Sequence, residues 1–204
     1  MSSLPRRETF VSMYAKKPPW DIGRPQPAFV EAAGRGTGTV LDAGCGTGET
    51  ALFFAGRGHP VLGIDFLDFP IQEARRKVKE RGSSAEFVRM DALTLADLDR
   101  QFDSVIDSGL FHVFSDDDRV RYVAGLAHVL EPGGRLFLMC FSDEEPGTEG
   151  PRRVSRKELY DAFAVGWQVE SVQPVQIEIN PEFTEVQFSE GGPKAWFAVV
   201  RRKE

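Results

Sequence analysis

Short apolar runs alternate with amphipathic stretches through the middle of the chain. Strands are predicted at TVLDAG, HPVLGIDF, AEFVRMDA, FDSVIDSG and GRLFLMCF. Helical spacing is found between them, in GETALFFAGRG, FPIQEARRKVKERG and DDDRVRYVAGLAHVLEPGG, and each stretch closes on a glycine suited to a C-terminal cap. This alternation predicts an α/β fold with a Rossmann-like, doubly wound and mostly parallel sheet.

The last third of the chain follows a different pattern. Ser155 and Glu158 have the spacing of a capping box at the start of a helix, SRKELYDAFAVG. Two further strands are predicted at WQVESVQPVQIEI and AWFAVVRRKE, joined by a polar connection at residues 180–194. Because no helix separates them, we expect a hairpin that brings the sheet to seven strands and makes one of them antiparallel.

Residues 1–38 precede the first predicted strand and are rich in aromatic residues, proline and glycine. The aromatic side chains favour a cover over the carboxyl ends of the strands, and a disordered leader is the alternative. We expect a single domain over residues 1–204, with the N-terminal cover at 1–38, a cofactor-binding core at 39–140 and a C-terminal helix and hairpin at 141–204.

Composition and charge narrow the possible partners. The chain of 204 residues has a formal net charge of −6, which disfavours nucleic acid because phosphate binding normally needs a basic surface. No stretch approaches the roughly 18 apolar residues of a membrane span. The two cysteines cannot form a disulfide framework, and with the three histidines they lack the spacing of metal ligands. We expect a cytoplasmic protein that acts on a small molecule and holds no metal; its oligomeric state is not predicted.

The segment VLDAGCGTGET places three alternating glycines directly after the first strand. Gly44, Gly46 and Gly48 let the backbone turn sharply and approach a ligand closely. A dinucleotide fingerprint needs its third glycine three positions after the second, where this chain has Glu49. A glycine-rich turn can also serve packing alone.

Four acidic residues lie at the ends of the predicted strands. We expect Asp42 and Asp107 to point into the crevice at the sheet edge, where they would repel a pyrophosphate and attract the ammonium and sulfonium groups of S-adenosylmethionine. Asp65 follows the glycines by about 20 residues, the separation at which a carboxylate reaches ribose hydroxyls. Asp91 could accept a hydrogen bond from the adenine amino group while the Ala92 amide donates to the ring. A helix cap or partner is the alternative role for Asp42, Asp65 and Asp91.

The motifs VLDAGCGTGET, GIDF, RMDAL, FDSVIDSG and LEPGGRLFL resemble, in this order, those of the class I, seven-stranded S-adenosylmethionine-dependent methyltransferases. The resemblance covers residues 39–140. It implies S-adenosyl-L-methionine as the cofactor and places Phe66, the end of GIDF, in the cofactor pocket. Ser108 could touch the methionine portion.

PPWDIGRPQPAFV is similar to the stretch before the first strand in the thiopurine, thiol and halide methyltransferase group and its bacterial relatives, which act on small molecules. This resemblance implies that Trp20 contributes to the cofactor pocket, where an aromatic face would attract a sulfonium. Packing at the surface is the alternative role for Trp20. Ser108 stands where the halide and thiol enzymes tend to carry an aromatic residue, which disfavours halide transfer. A phenolic oxygen, a thiol or a similar atom is therefore the expected acceptor.

His112, in DSGLFHVFSDDDR, is the candidate catalytic residue. It could take a proton from the acceptor or orient it, and packing or capping of the acidic helix start at 116–118 is the alternative. The loop at residues 143–153 is expected to act as a mobile lid. The acceptor pocket could be walled by Phe10, Tyr14, Phe183 and Phe188, or these rings could serve only the packing of the cover and the hairpin.

Two other functions stay open at this level. One is a non-catalytic module that binds S-adenosylmethionine and acts through a partner. The other is an NAD-dependent oxidoreductase, which Asp42 and Glu49 disfavour.

Overall fold

The computed structural model describes residues 7–35 and 38–204, and these form seven strands, six α-helices and two short 3₁₀ helices. The strands are β1 (Val40–Ala43), β2 (Val61–Asp65), β3 (Glu86–Arg89), β4 (Phe102–Ser108), β5 (Leu130–Phe141), β6 (Trp167–Gln176) and β7 (Lys194–Arg202). The helices are α1 (Arg7–Tyr14), α2 (Pro27–Ala32), α3 (Glu49–Ala55), α4 (Asp68–Arg81), α5 (Asp116–Val129) and α6 (Arg156–Ala162). The 3₁₀ helices are Ala92–Asp97 and Phe111–Val113. Residues 1–6 and 36–37 of the expected cover lie outside the described residues.

All seven strands belong to one sheet, in the order β3-β2-β1-β4-β5-β7-β6. Strands β1 to β5 run parallel to their neighbours, and β7 is antiparallel to both β5 and β6. The predicted α/β class, with one antiparallel strand contributed by a C-terminal hairpin, is confirmed. The strand order reverses between β1 and β4, and such a switch point opens a crevice at the carboxyl ends of the strands.

Alternate residues of each central strand point to opposite sides of the sheet, so both faces are apolar. Helices cover both faces and bury them. Leu41 packs in a cluster with Tyr122 of α5, and Val40 packs in a second cluster with Phe54 of α3. Packing on both faces of the sheet holds the strand ends that line the crevice.

One predicted helix is too long at its end. Helix α5 stops at Val129, and Leu130 already pairs with Phe102 of β4 in extended conformation. Pro132 cannot donate to a helical ladder, and the register shifts across this segment as a bulge. The LEPGG stretch therefore opens β5 instead of closing α5.

The described part of the cover is fixed by side-chain and backbone bonds to the chain beyond β6. The Gln26 side chain donates to the Glu178 carbonyl and accepts from the Glu178 N–H, both at 2.8 Å. Asn180 N–H donates to the Pro19 carbonyl at 2.8 Å. Phe29 of α2 is buried at the edge of the Phe197 ring. Across the described residues, no helix has the length and apolarity needed to cross a membrane.

Candidate functional site

The glycine turn joins β1 to α3 through backbone that glycine adopts most freely. Gly44, Gly46 and Gly48 have φ values of 71°, 52° and 87°. A Cβ built at Gly48 would lie 2.7 Å from the Phe87 ring and 2.9 Å from the Ala74 Cβ. Gly48 is therefore required by close packing of helix and sheet, which is the packing role that the sequence left open.

Gly46 faces the cover instead. A Cβ there would lie 3.0 Å from the hydroxyl of Tyr14 in α1. Its N–H donates to Asp65 Oδ2 at 3.1 Å. The turn thus sits between the end of β2 and the first helix of the cover.

Glu49 is the first residue of α3, and two basic side chains neutralise its carboxylate. Its carboxylate lies 2.8 Å from Lys77 Nζ and 2.8 Å from the Arg81 guanidinium, both on α4. Burial alone would raise the pKa of Glu49, but the bonds from Arg81 and Lys77 hold it below its usual value. In a dinucleotide site this helix end would face the pyrophosphate. Here it carries a paired carboxylate, and this argues against a diphosphate ligand.

Asp42 is 1% exposed and has one unpaired carboxylate oxygen. It accepts a hydrogen bond from the Ala51 N–H of α3, so the helix-partner role is real for one oxygen. Oδ2 has no partner among the described residues. Burial, with the charges of Asp107 and Asp65, raises the pKa of Asp42 to about 7. An unpaired buried carboxylate is costly, and a cationic ligand group nearby would offset that cost.

Asp107 does not point into the crevice with Asp42, and that expectation is corrected. The two residues are one register step apart on paired strands, so their side chains point to opposite faces of the sheet. Asp107 is completely buried and accepts from the N–H groups of Leu110 and Phe111 at 2.7 and 3.0 Å, and from the Tyr122 hydroxyl at 3.1 Å. Burial raises its pKa to about 6. Its carboxylate shapes the turn after β4.

Asp65 ends β2 at the rim of the crevice. Oδ1 accepts from the Leu67 N–H at 3.0 Å, and Oδ2 accepts from Gly46. Burial raises the pKa of Asp65 although these backbone bonds oppose the shift. Each carboxylate oxygen keeps a second lone pair that a hydroxyl can use. Phe66 follows, half-buried, with its ring against the Phe10 ring at 5.7 Å.

Asp91 is exposed and caps the first 3₁₀ helix, where Oδ1 accepts from the Leu93 N–H at 2.9 Å. The capping role is therefore observed for this oxygen. Ala92 behind it is buried. A contact of either residue with adenine stays a prediction.

An aromatic cluster from the cover and from the start of α4 lies beside the glycine turn and the end of β2. Its rings pair at 5.7 to 6.0 Å and belong to Phe10, Tyr14, Trp20, Phe66 and Phe69. Trp20 Nε1 donates to the Tyr14 hydroxyl at 3.4 Å, and Tyr14 stands nearer the glycines than Trp20 does. Within the cover, the sequence analysis gave a cofactor contact to Trp20 and placed Phe10 and Tyr14 at the acceptor pocket. The four-residue spacing of Phe10 and Tyr14 places both on one helical face.

The sequence analysis did not predict a second link between the cover and the glycine turn. The Thr47 hydroxyl donates to Asp21 Oδ2 at 3.0 Å and accepts from Lys77 Nζ at 2.8 Å. Asp21 belongs to the PPWDIG stretch and lies 26 residues away from Thr47. No local pattern reveals a pair so distant in sequence.

His112 lies in the second 3₁₀ helix and is almost fully buried, and Ser108 at the end of β4 is half-buried. Its Nδ1 accepts from the Phe141 N–H at 3.0 Å. Burial, with the charges of Arg119 and Arg153, lowers the pKa of His112 to about 3. The bond to Nδ1 and the lowered pKa both argue against the base role expected of His112, and its contact with an acceptor stays a prediction. The orienting role remains.

The backbone of the loop at residues 143–153 is held by hydrogen bonds from side chains, which argues against the mobile lid that was expected. The Arg153 guanidinium donates to four backbone carbonyls, those of Glu145, Pro146, Glu149 and Pro151. The buried Glu145 carboxylate accepts from the N–H groups of Ser189 and Lys194 at 3.1 and 2.8 Å. Phe188 packs on Phe141 at 5.7 Å, so this loop and the β6–β7 connection form one wall beside His112.

Within the part of the chain that the structure describes, no group of three or more His, Cys, Asp and Glu side chains is arranged to hold a metal ion.

Comparisons with known proteins agree with this geometry. A family model described as "Methyltransferase domain" matches residues 40–134. The chain is 34% identical over 194 residues to the 2-heptyl-1-hydroxyquinolin-4(1H)-one methyltransferase of Mycobacteroides abscessus, covering 93% of this chain and 83% of that relative.

Two solved structures are similar over nearly the whole chain. One, reported under "Conversion of a Disulfide Bond into a Thioacetal Group during Echinomycin Biosynthesis", is 37% identical with a TM-score of 0.84, covering 97% of this chain and 93% of its own. The other is the Burkholderia thailandensis 1,6-didemethyltoxoflavin-N1-methyltransferase with bound 1,6-didemethyltoxoflavin and S-adenosylhomocysteine. It is 25% identical with a TM-score of 0.73, covering 97% of this chain and 87% of its own.

Proposed function

Since this chain belongs to the class I S-adenosylmethionine-dependent methyltransferases, we propose that it methylates an oxygen, sulfur or similar atom of a small, largely apolar acceptor. The observation that carries the proposal is the unpaired, buried oxygen of Asp42 beside two further carboxylates. Such a rim favours a ligand with an ammonium and a sulfonium over one with a diphosphate.

The residues present fit the cofactor. When bound, it supplies a methyl group on a cationic sulfur, which a nucleophile displaces in line. Asp42 would face the ammonium end and Asp65 would accept from ribose hydroxyls. Cofactor contacts are further assigned to Trp20, Gly44, Gly46, Gly48, Phe66, Asp91, Ala92 and Ser108. Asp107 supports the turn after β4 and contributes its charge without touching the ligand.

His112 is proposed to orient the acceptor. With Nδ1 bonded to Phe141, the neutral ring carries its proton on Nε2 and can donate it to an acceptor atom. The Mycobacteroides relative acts, by its name, on a hydroxyquinolone with a heptyl chain, and the Burkholderia structure holds a heteroaromatic acceptor. These relatives, and the wall that contains Phe141 and Phe188, support an aromatic or heteroaromatic acceptor.

A binding and turnover experiment tests this function. Calorimetry should show that S-adenosylhomocysteine binds and NAD does not, and Asp65→Asn should weaken that binding about tenfold or more through lost charge-assisted bonds. Asp99→Asn, an exposed acid before β4, is the matched control. A panel of phenols, thiols, quinols and hydroxyquinolones should yield S-adenosylhomocysteine with at least one acceptor. Binding without any turnover would favour a non-catalytic module.

A further inference from the structure

We propose that the acceptor reacts as its own conjugate base: a weakly acidic hydroxyl or thiol that ionises before transfer and is held as an anion by the Nε2–H of His112. This inference rests on the proposed methyl transfer and names the substrate class. It starts from the position of one proton on the His112 ring.

The backbone fixes that proton. The Phe141 N–H can only donate, so the 3.0 Å bond to Nδ1 occupies the lone pair there. A neutral ring must then carry its hydrogen on Nε2. Burial, with Arg119 and Arg153, keeps the pKa of His112 at about 3, so the ring does not gain a second proton near neutrality. His112 has a donor to offer and no site that takes a proton.

The Nε2–H edge is open. Among the described residues, the buried side-chain nitrogen and oxygen atoms that lack a partner are Asp42 Oδ2 and Arg119 Nη2. Nε2 has no bonding partner in that part of the chain and is not in this pair, so it keeps some accessible surface although His112 as a whole is only 7% exposed. Gly109, with φ of 91°, lies beside it, and a Cβ there would be 3.4 Å from Nε2. The glycine keeps the donor edge clear.

The charges that act on His112 are positive. Arg119 lies on α5 and Arg153 on the 143–153 loop, and the positive charge of each lowers the pKa of His112. Across residues 7–35 and 38–204, Arg153 forms no ion pair, although Glu145 and Glu149 lie near it, because its donors go to carbonyls. Its charge is therefore neutralised by no directly bonded carboxylate.

The acids near His112 are already engaged. Glu158 is shared between Arg119 at 3.1 Å and Arg152 at 2.5 Å. Asp107 of β4 is fully buried and saturated by N–H and O–H donors. The Cys140 thiol of β5 is buried, and burial raises its pKa, so it stays protonated. None of these groups is free to take the acceptor's proton, and the two arginines favour an anion beside His112.

The transfer then balances without an enzyme base. The acceptor's proton goes to water before the chemical step. The anionic oxygen or sulfur forms a bond to the methyl carbon while the bond from that carbon to the cofactor sulfur breaks, and the electron pair of that bond stays on the sulfur. A cation and an anion become two neutral products, with the charges drawn together in a site of low dielectric.

The test is the pH dependence of kcat/KM for para-substituted phenols of similar size and graded acidity, measured as S-adenosylhomocysteine formed with S-adenosylmethionine saturating at every pH, so that titration of Asp42 does not contribute. We expect the midpoint of each profile to follow the acidity of that phenol. At pH 7 the most acidic phenol should exceed the least acidic by about tenfold or more. One midpoint shared by all phenols would point to an enzyme base and overturn the inference. No product from any acceptor at any pH would overturn the proposed function as well.

The His112→Gln variant distinguishes a hydrogen-bond donor at this position from a general base. The glutamine amide can accept from the Phe141 N–H and still donate, but it cannot take a proton near neutrality. We expect kcat within about fivefold of the parent and unchanged profile midpoints. Loss of the pH dependence in this variant would show that His112 titrates and would contradict the inference. Affinity for S-adenosylhomocysteine, measured on the same sample, reports that the variant is folded.

Discussion

The two halves of the crevice are built by opposite means. The acid half consists of the glycine turn at residues 44–48 with Asp42 and Asp65, whose carboxylates accept hydrogen bonds from backbone N–H groups. The basic half consists of His112, Arg119 and Arg153, where the arginines donate to backbone carbonyls. Asp42 and Asp65 of the first half lie at strand ends, whereas the second half draws on a 3₁₀ helix, on α5 and on the 143–153 loop. Each half presents the charge that its reactant lacks.

This division also assigns different tasks to the two halves. Burial raises the pKa of Asp42 and lowers that of His112, and neighbouring charges add to each shift: Asp107 and Asp65 at Asp42, and Arg119 and Arg153 at His112. Substitutions in the acid half should therefore change cofactor affinity, and those in the basic half should change turnover. If either half controls both quantities, the comparison fails.

The largest effect is expected at the rigid turn of the acid half. Gly48 and Gly58 have nearly the same φ, 87° and 88°, so alanine meets the same backbone strain at both. A Cβ at Gly48 collides with Phe87 and Ala74, whereas nothing lies within 4 Å at Gly58. Gly48→Ala should lose about 2 to 5 kcal/mol of unfolding free energy and Gly58→Ala only about 1 to 2. Urea unfolding measures both, and equal losses would mean that the packing at Gly48 is not tight.

The next effect separates charge from shape in the acid half. Asp42→Asn keeps an acceptor for the Ala51 N–H and removes the charge. We expect S-adenosylhomocysteine affinity to fall about 10- to 100-fold near pH 8. The pKa of Asp42 is about 7, so the carboxylate becomes protonated as the pH falls, and parent affinity should weaken from about pH 8 to about pH 6.

Calorimetry of the Asn variant at the same two pH values provides the control. Its affinity should change little with pH, because the titrating group is gone. A parent affinity independent of pH would show that Asp42 is not the group that meets the ammonium.

The sequence predicts what is repeated and local. Strand and helix alternation, the α6 capping box and the Gly82 cap of α4 were all visible as patterns, and the structure contains them. The acids at the strand ends were found for the same reason. The face on which Asp107 lies was not, because one step of register moves a side chain to the opposite side of a sheet.

Contacts between distant segments were also out of reach. The bond that sets the His112 tautomer comes from Phe141, 29 residues later, and it decides between base and donor. Glu49 could be recognised as an exception to the dinucleotide pattern, but its partners Lys77 and Arg81 lie on another helix. Pairings of this kind depend on how α4 packs beside α3, which no local window contains.

The smallest effect should come from the basic half and should leave the cofactor untouched. His112→Ala removes the Nε2–H donor and leaves the Phe141 N–H without its acceptor. Loss of one hydrogen bond to a charged atom lowers the rate about tenfold. We therefore expect kcat for an active acceptor to fall about tenfold, with S-adenosylhomocysteine affinity within about twofold of the parent.

His128→Ala, an exposed histidine near the end of α5, is the matched control and should change neither. Unchanged turnover would remove His112 from the mechanism. A parallel loss of cofactor affinity would show instead that the two halves are coupled through the turn after β4, where Asp107 holds the N–H groups of Leu110 and Phe111.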